Sequence, residues 1–177
     1  MRKLIVSQSV TVDGIYDTQY FTPYQSNERD EYMRETVFAA DALLLGRTTY
    51  DLLASFWPNQ KNPMANKMNN VPKYVVTSTP LKAQWNNATI IKGNVVEEIG
   101  KLKGQPGQDI LTIGSATLIQ SLMRTDLIDK YKLLVHPSIV GSGKRFFNDG
   151  MDMSKLKLLE SKTLSLGVVL LCYEPAK

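Results

Sequence analysis

The sequence predicts a three-layer α/β fold, a central sheet flanked by helices and closed by a C-terminal hairpin. Three observations carry this. Short apolar runs alternate with segments in which apolar residues recur every three or four positions, as strands connected by helices do. Twice an apolar run passes through a glycine directly into a helix start, at Leu45-Gly46-Arg47-Thr48 and Ile113-Gly114-Ser115-Ala116. The last stretch, residues 156–173, reads as two strands joined around Ser165-Leu166-Gly167. The 177 residues suit one domain with a substantial core, and no repeat or low-complexity linker divides them, so residues 1–177 are expected to form a single domain.

The elements follow in order. Residues 3–10 form the first strand, which Asp13-Gly14 breaks, and a polar loop continues to Tyr24-Gln25. Ser26 or Asn27 caps a helix over residues 28–39, whose acidic first turn suits the helix dipole. Residues 42–45 are wholly apolar, as a strand buried on both faces should be. Thr48 or Thr49 starts a second helix with Leu52, Leu53 and Phe56 as its buried stripe, and Trp57-Pro58 stops it. The Asn-rich stretch up to Val71 is expected to be irregular, with Met64 and Met68 filling gaps beside it. Strands are expected at residues 72–77 and 88–91, then a helix that Asn94 caps and Val95, Ile99 and Leu102 anchor. A strand at 110–113, a helix carrying Leu118, Ile119 and Leu122, and a strand at 127–136 ended by Pro137 complete the series before the hairpin. Periodicity leaves the strand order open.

Composition narrows the function. Hydrophobic residues make up 43% and charged residues 21%, ordinary proportions for a globular protein. No apolar run approaches a membrane span, and Met1-Arg2-Lys3 leads straight into a short strand rather than a signal-peptide apolar region, so no membrane association is expected. One cysteine, Cys172, and one histidine, His136, leave no disulfide and no standard zinc site, which points to a reducing cytoplasm and no metal. Cys172 reads as a core thiol, and His136, before Pro137, as a structural residue. The net charge of +4 is modest and its Lys and Arg are scattered, which argues against nucleic-acid binding.

The two strand-glycine-helix junctions are where chemistry can sit. Glycine permits a tight turn, and the amides that follow point outward with the positive end of a helix dipole behind them. Hydroxyls of Thr48, Thr49, Ser115 and Thr117 can add donors, and Arg47 can clamp a phosphate with two hydrogen bonds. Two anion sites at strand C-termini suit a dinucleotide. The other reading of each junction is an ordinary capped turn.

The segment 43–50 resembles the strand and Gly-Arg-x-Thr turn of dihydrofolate reductases, and is still more similar to the reductase domain of bacterial riboflavin-biosynthesis enzymes and their stand-alone relatives. Further matches run in order: Thr11-Val12-Asp13-Gly14, Phe56-Trp57-Pro58, Val75-Val76-Thr77-Ser78, Ile113-Gly114-Ser115-Ala116, and the Pro137-to-Gly143 segment leading to Phe146-Phe147. The resemblance spans nearly the whole chain. It implies a dihydrofolate-reductase-like fold with a mostly parallel, eight-stranded sheet, and NADPH lying across the C-terminal ends of the strands. Gly46, Arg47, Thr48 and Thr49 would then hold the adenosine-side phosphates, Thr77 and Ser78 would border the 2′-phosphate, and Gly114, Ser115, Ala116 and Thr117 would hold the pyrophosphate. The substrate would be a small planar heterocycle, carbonyl or imine, pterin- or pyrimidine-like. Counting back from the Gly-Arg turn by the interval usual in the family reaches Asp30, a candidate proton donor; Asp30 also reads as a solvated acid in a helix first turn. Asp13 is the second catalytic candidate, or simply the partner of Gly14 in a turn. Residues 16–24 would be a flap in which Tyr16, Tyr20 and Phe21 cover the substrate. Homodimerisation is implied by analogy, the final hairpin offering edge strands for it. A non-catalytic dinucleotide-binding module is the alternative function.

Overall fold

In the computed structural model the described residues are 1–81, 84–150 and 153–176. The chain runs β1 (Leu4–Thr11), a 3₁₀ helix (Thr18–Tyr24), α1 (Asn27–Phe38), β2 (Ala40–Gly46), α2 (Arg47–Phe56), α3 (Pro63–Asn70), β3 (Lys73–Val76), β4 (Ala88–Ile91), α4 (Val95–Gly104), β5 (Asp109–Ile113), α5 (Ala116–Leu122), β6 (Lys130–His136), β7 (Leu156–Thr163) and β8 (Val169–Pro175). Eight strands form one sheet in the order β4-β3-β2-β5-β1-β6-β8-β7. The first six are parallel, and β8 and β7 are each antiparallel to their neighbours, so the expected hairpin closes one edge.

The inner strands β1, β2 and β5 are buried on both faces, and residues 42–45 of β2 are accordingly wholly apolar. On one face Leu4, Val6 and Val10 pack with Ile99 and Leu102 of α4 and Leu118, Ile119 and Leu122 of α5. On the other, Ile5, Leu43, Leu45 and Val75 pack with Val37 of α1, Tyr50 of α2 and Met68 of α3. These are the three layers that the alternating pattern requires. β7 is the exception. Every residue of it is exposed, Leu156, Leu158 and Leu159 included.

The Asn-rich stretch expected to be irregular contains α3 instead. Asn62 caps it, its side chain accepting the Ala65 amide at 2.8 Å, and Pro63 occupies the first helical position, where its missing N–H costs nothing. Ala65 and Met68, three residues apart, are fully buried. At its far end the Lys73 Nζ donates to the carbonyls of Asn69 (2.7 Å) and Asn86 (2.9 Å) and lies 4.2 Å from the centre of the Trp85 ring. A buried cation thus closes the helix where carbonyls are left unpaired. Asparagine's low helix propensity hid this from the pattern.

The lone histidine is structural in its surroundings. His136 is fully buried, its ring 4.4 Å from that of Phe21. Both neighbours of Nδ1, the carbonyls of Leu134 (3.0 Å) and Val10 (3.3 Å), are acceptors, so that nitrogen carries the proton. Burial holds its pKa below the ordinary value, which keeps the ring neutral at pH 7. Cys172 is a buried free thiol pushed up in pKa by burial.

Candidate functional site

The C-terminal ends of the parallel strands share one edge of the sheet, and both glycine junctions lie on it. β2 and β5 are neighbours, so Gly46 and Gly114, 68 positions apart in the chain, meet. The two junctions are bolted together. The Gly46 amide donates to Ser115 Oγ at 2.8 Å, and the Ser115 amide donates to Thr49 Oγ1 at 2.9 Å. Gly114 (φ +60°) and Ser115 (φ +58°) both lie in the left-handed region. Gly114 suits this for lack of a Cβ, and a Cβ there would meet Thr49 Oγ1 at 3.4 Å.

This arrangement leaves two helix starts without side-chain caps. Ser26, Asn62 and Asn94 each cap their own helices, α1, α3 and α4, with a side-chain oxygen. Gly46 has no side chain with which to cap α2, and Ser115 turns its hydroxyl toward Gly46 rather than onto α5. The first amides of both helices are therefore free to face a ligand. The hydroxyls of Thr49 and Ser115, expected as phosphate donors, serve first as acceptors for the junction. Thr48 and Thr117 are exposed, whereas the side chain of Ala116 is in the core.

Beside this junction a cleft of about 480 Å³ opens at the ends of β3 and β4. Arg47, Thr77, Ser78, Thr79 and Lys92 line it. Arg47 hydrogen-bonds Thr79 Oγ1 and reaches Asp51 at 3.4 Å, while the Thr77 hydroxyl donates to the Thr79 carbonyl at 2.9 Å and so shapes the turn. Lys92, with Gly93 after it, is a cation that the sequence pattern did not single out; its signal was its place at the end of a strand on this edge.

A second cleft, of about 440 Å³, lies between β1, the 3₁₀ helix and α1. β1 pairs with β5 only as far as Ser7–Ile113, but with β6 as far as Thr11–His136. From Gln8 onward, the side of β1 toward β5 is thus open, at the point where the chain leaves in opposite directions from neighbouring strands. Open α/β sheets take ligands at such points. Ser7, Ser9, Thr22, Gln25, Phe21, Arg29 and Met33 line this cleft together with Ile113 and Gly114. Phe21, from the expected flap, reaches it; Tyr16 packs edge-on against Phe146.

Sequence and structure comparisons place this architecture. The RibD C-terminal domain family matches residues 2–170. The chain belongs to that family. It is 31% identical over 178 positions to the uncharacterised protein YyaP of Bacillus subtilis (strain 168), covering 97% of this chain and 94% of that one. A candidate riboflavin-biosynthesis protein of Shewanella sp. PV-4 superposes with a TM-score of 0.79 at 21% identity, covering 99% of each chain. Dihydrofolate reductase from Enterococcus faecalis, complexed with NADP(H) and RAB-propyl, superposes with a TM-score of 0.68 at 13% identity over 99% of this chain and 97% of that one. The fold is dihydrofolate-reductase-like.

Within this RibD C-terminal domain neither candidate acid lines either of these two clefts. Asp30 is one position off the inward stripe of α1, which runs Arg29, Met33, Thr36 and Val37 at helical spacing. Its side chain is 66% exposed. The residue that faces the cleft is Arg29, and stepping back four positions from Met33 would have found it. Asp13 is engaged elsewhere: its carboxylate accepts from the Thr11 hydroxyl (2.6 Å) and the amides of Val140 and Gly141 (2.7 Å for Gly141), tying the loop after β1 to the loop after β6. The Thr11 hydroxyl foremost, then the Gly141 amide, hold its pKa below the usual carboxylate range.

That shift fixes a pH dependence. A carboxyl whose pKa is lowered on folding stabilises the fold above its unfolded value of about 3.9, and the contribution disappears as pH falls through the folded value. Asp13→Asn is expected to lower the melting temperature at pH 7 and to flatten its decline below pH 4. Melting curves between pH 2.5 and 7 check this, and an unchanged acid limb would remove Asp13 as a contributor.

Proposed function

We propose that this RibD C-terminal domain is an NADPH-dependent reductase of a small planar heterocycle, carbonyl or imine. The observation that carries the reading is the pair of uncapped helix starts, bolted together on one sheet edge beside a cleft holding Arg47 and Lys92. Two sets of free amides and two cations match a dinucleotide with three phosphates. The residues fit NADPH as follows. The amides of Arg47 and Thr48 at the start of α2 and of Ala116 and Thr117 at the start of α5 would take the pyrophosphate and adjoining oxygens, and Arg47, Lys92, Thr77 and Ser78 would surround the 2′-phosphate. The open side of β1 and Gly114 would receive the nicotinamide.

Bound there, NADPH supplies a hydride to an electrophilic carbon of the substrate; orientation and charge are the protein's share. Phe21 covers the second cleft and stacks on buried His136, which fixes one wall. No Asp or Glu lines this cleft among the described residues, so the proton that completes reduction comes from water rather than from Asp30 or Asp13. The same absence favours one second reading, a dinucleotide-binding module without turnover. NADPH is expected to raise the melting temperature more than NADH does; no shift with saturating NADPH would overturn the reading. NADPH consumption with a panel of ring carbonyls and imines separates the reductase from the module.

We further propose a homodimer through β7, whose exposed leucines lie on an unpaired sheet edge. Its place would be the cytoplasm. Among the described residues no helix is long and apolar enough to cross a membrane.

A further inference from the structure

The cleft between β1 and α1 contains a charge that the fold does not use. Arg29 stands in the first turn of α1, where a cation opposes the helix dipole. Its side chain is only 16% exposed, and its Nε is buried with no hydrogen-bond partner among the described residues. Its ion pair, with Asp30, is 3.4 Å long, and Asp30 points into solvent. A guanidinium taken out of water with its Nε edge unpaired is costly. Around it the cleft offers only neutral groups: the hydroxyls of Ser7, Ser9 and Thr22, and the amide of Gln25. Gln8, also lining the cleft and 8% exposed, has a buried Oε1 without a partner. The site therefore presents an unmatched cation edge and an unmatched acceptor.

We propose that the substrate of this cleft carries a carboxylate on its ring and that Arg29 selects it. The inference rests on the cleft being the substrate pocket of the proposed reductase. The Nε edge of a guanidinium offers two parallel N–H groups, which match the two coplanar oxygens of a carboxylate. Gln8 Oε1 is then free to accept from a ring N–H. The cleft, of about 440 Å³, is bordered by Gly114, so a ring held there would lie beside the position proposed for the nicotinamide.

The test measures binding of matched probes by calorimetry, with and without NADP⁺: orotate against uracil, nicotinate against pyridine, pterin-6-carboxylate against pterin, and uridine 5′-monophosphate against uridine. At least one ring carboxylate is expected to bind about tenfold or more tighter than its neutral partner, the scale of one charge-assisted pair. Arg29→Gln should abolish that preference, Arg29→Lys should keep part of it, and Asp30→Asn should leave it intact. Melting of the Arg29 variants at or above the temperature of the parent, and an unaltered NADPH shift in them, show that the fold and the cofactor site are untouched. Equal binding within all three carboxylate pairs, a preference that survives Arg29→Gln, or a preference confined to the phosphate pair would each overturn the proposal. An absent NADPH shift together with an Arg29-dependent carboxylate preference would sink the reductase reading and leave this one standing.

Discussion

With Arg47 replaced by alanine, NADPH affinity should fall by about ten- to a hundredfold while NADH affinity changes little, because in the proposed binding mode Arg47 makes a charge-assisted contact to the 2′-phosphate. Arg47 leads α2 from the end of β2, and its guanidinium lies in the same cleft as Lys92, which leaves β4. No acid lines that cleft among the described residues, although Asp51 reaches Arg47 at 3.4 Å. A dianion placed there would meet two cations and the hydroxyls of Thr77, Ser78 and Thr79, whereas a free 2′-hydroxyl would leave Lys92 without an anion in the cleft and Arg47 with Asp51 alone. Lys92→Ala should act in the same direction and less strongly, since an ammonium offers a point charge without a planar fork. In the unaltered protein, NADPH at a hundred times its Kd is expected to stabilise by about 2.7 kcal/mol, or roughly 5–10 °C in Tm for a chain of this size. Fluorescence titrations of NADPH and NADH against both variants check the prediction. Parallel losses for the two cofactors would move the 2′-phosphate elsewhere.

The second large effect concerns the bolt between the junctions. Thr49→Val removes the acceptor of the Ser115 amide, and Ser115→Ala removes the acceptor of the Gly46 amide. Each leaves a part-buried N–H unpaired, at a cost of about 1–3 kcal/mol. The double variant should lose less than the sum, because both bonds hold one joint. Affinity for NADPH should fall with stability, since the free amides of α2 and α5 are aimed by this joint. Gly114→Ala adds strain at φ +60° and pushes a methyl toward Thr49, and should cost about 1–2 kcal/mol. Denaturant melts and cofactor titrations on the four proteins give the cycle. Strict additivity, or retained affinity in the double variant, would show that the two turns act independently.

Much of this fold was legible in the chain. The strand at β5, the Asn94 cap of α4, the burial of Ile99 and Leu102, and the hairpin around Ser165-Leu166-Gly167 all follow from neighbours a few positions apart. Where local signals conflicted, reading them failed. Asn62-Pro63 is a helix start, but the asparagines after it weighed the other way, and the buried Ala65 and Met68 that decide the matter need the sheet to be buried against. On α1 the spacing from the glycine turn pointed to Asp30, one position and about 100° of helix rotation from the cleft-facing Arg29.

The sequence by itself determined the layers, the two glycine junctions and the family, because strand and helix periods, caps and turns are nearest-neighbour effects written into consecutive residues. Only the tertiary structure decided that the junctions form one site. Gly46 and Ser115 lie 69 residues apart, and what joins them is the adjacency of β2 and β5, a matter of sheet order that no local period encodes. The same order ends β5 early against β1, opens the cleft, and turns Arg29 toward it.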